Sequence, residues 1–190
     1  METRYKIKTA PTWDPITVDE LKRNLHIEIN NHDQDEYLQE ILLSIIDQVQ
    51  TDIGRQIARA TYTMYLDGYP DGNEVEITLG PVDAISSVKY YADGASELTT
   101  VDASDYQLDN TELTGRLRFF NSFITDDEKM NVVQIEFTNG YGSAPSVPGS
   151  LKDAIILLAS DRYLNPENAG VSVNQSAAER LLRNYRIQRY

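Results

Sequence analysis

Few side chains in this sequence have the type and spacing that covalent chemistry requires. There is no cysteine, and the only histidines are His26 and His32. Disulfides, thiolate zinc sites and cysteine nucleophiles are therefore excluded. The densest set of metal-ligating types is His32, Asp33, Asp35 and Glu36. Acidic residues just ahead of a helix also cap its orphan N–H groups and complement its dipole, and that is the commoner use of such a pattern. Gly140-Tyr141-Gly142 lacks the third glycine and the following helix of a dinucleotide-binding turn. No serine stands in a nucleophile elbow, and neither histidine can be matched to a triad. Asp126-Asp127-Glu128 reads as a solvated charge run on a loop. These patterns predict a protein that is not an enzyme, with no cofactor, no metal and no catalytic residue.

Two groups of residues suit binding instead. Arg180, Arg183, Arg186 and Arg189 fall three apart, with Tyr185 and Tyr190 among them. Arginine and tyrosine are enriched at interface anchors, which makes this set a candidate docking surface. The alternative is a solvated helix end, where cations complement the C-terminal dipole. Seven of the twelve tyrosines lie between residues 61 and 145. A carbohydrate-binding sheet would want such aromatics, but β-propensity and sheet packing explain them equally well.

Helices at both ends of the chain must position these groups. In Pro15-Ile16-Thr17-Val18-Asp19-Glu20-Leu21, Thr17 is a good N-cap and Glu20 stands three residues on, so each can satisfy the other's backbone N–H. A short helix follows, with Leu21 and Leu25 on its apolar edge. Tyr37, Leu38, Ile41, Leu42, Ile45, Ile46, Val49 and Ile53 then recur at helical spacing and predict a long helix from about Asp33 to about Arg55. Asp33 and Glu36 repeat the capping pattern at its start, and Gly54 marks its end.

From Arg59 the pattern changes to strands: 61–66, 74–79, 85–91, 105–108, 115–120 and 132–138, separated by turn formers such as Asp67-Gly68-Tyr69-Pro70-Asp71-Gly72. Helices return after Pro148. The run from Leu151 to Ala159 is apolar nearly all round and predicts a central helix ending at Asn165-Pro166. Ser176-Ala177-Ala178-Glu179 carries a further capping signature for a last helix bearing the arginine row.

The fold class expected is therefore α+β. N- and C-terminal helices form a discontinuous bundle, and a small antiparallel β-sheet or barrel is inserted between them. The boundaries predicted are a flexible N-terminal arm over residues 1–14, a bundle from 15–58 and 146–190, and a β insertion over 59–145.

Charge sharpens the picture. The formal net charge of −13 is uneven: residues 61–145 carry 15 acids and 4 bases, whereas 146–190 carry 4 acids and 6 bases. An acidic module this large argues against ordinary duplex binding, which wants the opposite sign over a broad surface. Solubility and the guarding of exposed strand edges account for this acid. The opening residues run into no apolar stretch, and the longest apolar run, Ala154 to Ala159, is far too short to span a bilayer. A soluble, intracellular protein with no membrane association is expected.

The layout resembles the head–tail connector, or head-completion adaptor, proteins of tailed bacteriophages. Pro15-Ile16-Thr17-Val18-Asp19-Glu20-Leu21-Lys22-Arg23-Asn24-Leu25-His26-Ile27 is similar to the family's opening. Asp33-Gln34-Asp35-Glu36-Tyr37-Leu38 resembles the start of its long helix and Gly54-Arg55 the exit. Leu79-Gly80-Pro81-Val82, Tyr90-Tyr91-Ala92-Asp93-Gly94, Tyr106-Gln107-Leu108-Asp109, Gly115-Arg116-Leu117 and Phe137-Thr138-Asn139-Gly140-Tyr141-Gly142 resemble the β part of its larger members. Val147-Pro148-Gly149-Ser150-Leu151-Lys152-Asp153-Ala154-Ile155 is similar to the start of the third helix. The likeness runs from about Pro15 to Ile187 and rests on order and spacing.

This resemblance implies a structural virion protein of the neck, made in the host cytoplasm. It implies a homo-oligomeric ring, usually of twelve subunits, docked to the portal on one side and meeting a tail-proximal connector or closure protein on the other. DNA would pass through its channel without specific binding. The segment Ala178 to Tyr190, with Arg180, Arg183, Tyr185, Arg186, Arg189 and Tyr190, is implied to reach the portal. A tail-side closure protein is the nearest alternative, and a carbohydrate-binding module a more distant one.

Overall fold

The computed structural model describes residues 3–126, 128–167 and 173–187. The chain divides into two compact units, Met1–Thr12 with Arg59–Gly140, and Trp13–Ala58 with Tyr141–Tyr190. The fold class is α+β.

The second unit is helical. α1 (Val18–Leu25) opens on the capping box expected of Thr17 and Glu20, with both reciprocal hydrogen bonds formed. α2 (Asp35–Ile53) ends at Gly54, whose φ of 69° lets its N–H turn back onto the last carbonyls of the helix. α3 (Gly149–Leu164) packs against α1, α2 and α4 (Val173–Leu182), which makes it the central rod of the bundle. Leu38, Leu42, Ile45 and Val49 of α2 close over Leu151, Ala154 and Ile155 of α3, all buried. The helical period puts these apolar groups on facing sides, and their burial drives the packing.

Two expectations about helix starts are corrected. Asp33 does not cap α2: the N-cap is Gln34, with no side-chain cap bond, and the carboxylate of Asp35 is drawn instead to Lys22 and His32. Ser176 lies inside α4, which begins at Val173, so Ser176 and Glu179 are not its capping box.

The first unit holds two antiparallel sheets. β1 (Arg4–Thr9), β2 (Ala60–Leu66), β4 (Val82–Tyr91), β5 (Leu98–Thr100) and β8 (Val133–Asn139) form one sheet in the order β1-β2-β8-β4-β5. β3 (Glu74–Ile77), β6 (Tyr106–Asp109) and β7 (Gly115–Phe119) form the other in the order β3-β7-β6. Alternation sends Met64, Val88, Ile135 and Phe137 of the larger sheet and Val75, Ile77, Leu117 and Phe119 of the smaller into one shared core. Gly115 allows the close approach: a Cβ there would stand 2.8 Å from Val82 Cγ2.

Residues 4–9 are not an arm. They pair with β2 from Arg4↔Tyr65 to Thr9↔Thr61, with a bulge between Ile7 and Thr9, and make an edge of the larger sheet. Tyr62, Tyr69 and Tyr90 serve the core: Tyr62 stacks on Phe137, and Tyr69 and Tyr90 pack on Phe123.

Candidate functional site

The arginine segment is built on the end of the helical unit. α4 stops at Leu182, a single 3₁₀ turn covers Arg183–Tyr185, and Arg186 is extended with φ −66° and ψ 138°. The three-residue step of Arg180, Arg183 and Arg186 is thus carried by three different backbone conformations rather than by one helix. All three side chains are exposed. Arg189 and Tyr190 lie outside the described residues.

What holds this segment is equally definite. Ala178 and Leu182 are buried in the bundle core. The hydroxyl of Tyr185 is 2.8 Å from Ser150 Oγ at the start of α3, and its carbonyl accepts a 2.7 Å bond from Arg55 Nε. The Ile187 N–H donates to the Ile53 carbonyl at 3.1 Å, closing over the C-cap of α2. Tyr141 belongs to the same cluster: burial pushes its phenol up, with a smaller contribution from Tyr185, while Arg55 opposes the rise. Tyr185 is therefore the half-buried peg that fixes the segment, and Arg180, Arg183 and Arg186 are the groups it presents.

The acidic and histidine clusters serve the fold. The ammonium of Lys22, wholly buried, donates to the carbonyls of Ile29 (3.2 Å) and Asn31 (2.8 Å) and pairs with Asp35. His32 Nδ1 lies 2.7 Å from the other Asp35 oxygen. The place a cation would take beside Asp35 is filled by Lys22. Among the described residues no group of three His, Asp or Glu is arranged to hold a metal ion. Asp126 is buried rather than solvated, accepting from Lys129 Nζ at 2.6 Å and from the Glu128 N–H at 3.1 Å. Asp127 lies outside the described residues.

The larger sheet carries a further surface feature. The outward face of the larger sheet carries Lys6 and Lys8 from β1 and Lys89 from β4 around a shallow groove of about 350 Å³. Its signal in the sequence is the alternate-position bases Arg4, Lys6 and Lys8, which fit a strand with one basic side. No helix among the described residues is long and apolar enough to cross a membrane.

No protein-family profile matches the sequence. No curated protein matches it either. Solved structures do match in fold. A chain in the neck of an empty GTA particle, computed with C6 symmetry, superposes with a TM-score of 0.83 at 20% identity, covering 98% of this chain and 97% of that one. A chain in the virion of the native gene transfer agent (GTA) particle gives 0.80 at 20% identity, covering 98% and 96%. A third, in the neck of the native GTA particle computed with C12 symmetry, gives 0.73 at 19% identity, covering 98% and 97%. Over nearly its full length, in both units, this chain has the fold of those particle components.

Proposed function

We propose that this chain is a structural subunit of the neck of a phage-like particle, a head–tail connector that assembles into a ring at the portal. The supporting observation is the full-length likeness to chains of GTA necks, at a TM-score of 0.83 over 98% of this chain. Those necks were computed with C6 and C12 symmetry, which agrees with a closed ring of copies. Such a ring needs a heterologous, head-to-tail interface closed by rotation.

In this reading the helical unit supplies the rigid frame, and Arg180, Arg183 and Arg186 meet an acidic face of the portal. Arg189 and Tyr190, which follow in the sequence, belong to the same proposed portal-binding set. A closure or tail-proximal protein meets the opposite side of the ring, and DNA passes through without base-specific contacts. The role is assembly in the host cytoplasm followed by residence in the virion neck, with no catalytic step.

Electron microscopy of the purified chain mixed with portal rings tests this. An added ring of density on the portal is expected. Bare portals at saturating chain would overturn the portal assignment, and decoration of tail tips instead would favour a closure protein.

A further inference from the structure

The basic groove on the larger sheet stands against the charge of its own unit. Residues 1–12 and 59–140 together carry 16 acids and 8 bases, yet Lys6, Lys8 and Lys89 converge on one groove, with Glu136 as its one carboxylate. Lys8 is held by Glu136 at 2.6 Å, whereas no ion pair among the described residues engages Lys6 or Lys89. Lysines on an edge strand guard it against pairing, which accounts for Lys6 and Lys8. It does not account for Lys89, because β4 is an interior strand between β8 and β5.

A complementary surface exists on the other unit. α2 carries five acids and no lysine or arginine in 19 residues. Glu36, Glu40, Leu43 and Asp47 follow the i, i+4, i+7, i+11 rule, which lines them along one side of the helix. All four are exposed, Leu43 at 49%, and no ion pair among the described residues engages the three acids. The stripe is about 16 Å long at about 1.5 Å per residue. From β1 to β4 the sheet advances three strands, about 14 Å at the usual spacing. The apolar groups also match: Ile7 and Leu98 line the groove beside the lysines, as Leu43 stands between the acids.

We infer that the basic groove of one copy receives the acidic α2 stripe of a second copy, forming the head-to-tail contact of the ring. The inference rests on the ring reading above and specifies which surfaces meet. The two surfaces differ, so the contact is heterologous and repeats from copy to copy. A nucleic acid is a poorer occupant. Glu136 sits in the groove, Ile7 and Leu98 offer phosphates nothing, and the unit's net charge repels a polyanion.

Two double variants of the full chain test it: K6E/K89E, with both surfaces acidic, and E40K/D47K, with both basic. Circular dichroism confirms folding, and sedimentation equilibrium reads association at low salt (about 50 mM) and high salt (about 500 mM). Salt-sensitive association of the native chain is expected, weakened on the order of tenfold or more in either variant alone. An equal mixture should recover it, because each acidic surface then finds a basic one in alternating copies. A native chain that stays monomeric at low salt, variants that associate like the native chain, or a mixture no better than its components would overturn the inference. So would tight, salt-dependent binding of a DNA duplex that K6E/K89E abolishes. If K6E/K89E still forms rings on portals, this contact is wrong while the ring reading stands.

Discussion

The buried ammonium of Lys22 on α1 is ion-paired with the carboxylate of Asp35 at the start of α2, and it also draws in the carbonyls of Ile29 and Asn31. One side chain thus ties together two helices and the loop between them. Lys22→Met is expected to destabilise the chain by about 2–3 kcal/mol, because buried acceptors lose their donor. Urea unfolding followed by circular dichroism measures it. A loss below about 0.5 kcal/mol would mean that water replaces the ammonium freely.

Hydrogen-bonded carboxylates set the response to acid. Asp35 is held low first by Lys22, Asp67 by the Asn131 N–H, Asp102 by the Ser104 N–H and Asp126 by Lys129. Asp109 falls to about 2 through Arg116 and Thr111. These groups are lower in the folded chain than the usual aspartate value of 3.8. Their stabilisation is therefore complete above that value and is lost as pH falls through the folded values. Asp109→Asn is expected to lower stability at neutral pH and to flatten the acid limb between about pH 4 and pH 2. Urea titrations at several pH values check it, and an unchanged slope would show that the Arg116 pair contributes nothing.

Gly54 is required by its conformation and its neighbour. With φ at 69° and a Cβ position 3.0 Å from Ile187 Cδ1, Gly54→Ala should cost about 1–2 kcal/mol. Adding Ile187→Ala should return the part due to crowding and leave the part due to backbone strain. Thermal unfolding of the single and double variants separates the two.

Arg183 and Arg186 are exposed, so their replacement by alanine should leave stability within about 0.5 kcal/mol of the parent. Binding to purified portal in a pull-down should fall at low salt, where the charges act most strongly. Tyr185→Phe should instead reduce stability, because its hydroxyl bonds to Ser150. Unchanged portal capture by the arginine variant would remove these residues from the docking surface.

Much of the fold could be read locally. Thr17 with Glu20, Gly54, and the apolar stripe of α2 each fix an element by contacts within a few residues, and each stands where the pattern put it. Asp33 misled because Asp35 is engaged by Lys22, thirteen positions upstream, a competition invisible to spacing alone. Arg4–Thr9 looked like an arm because its partner strand begins some fifty residues later. The larger sheet likewise places β8 between β2 and β4, an order set by packing of distant segments. The arginine residues were legible as a group, but the end of α4 at Leu182 was not. Tyr185 leaves the helix because Ser150 and Arg55, from other parts of the chain, hold its hydroxyl and carbonyl.

A cryo-electron microscopy reconstruction of the neck of particles that contain this chain tests the central claim most directly. The expected result is a closed ring of copies below the portal, each accommodating both units, with the sheet face bearing Lys6 and Lys89 turned toward α2 of the neighbouring copy. A neck whose density is filled without this chain, or the chain found only in the shell or the tail tube, would contradict it.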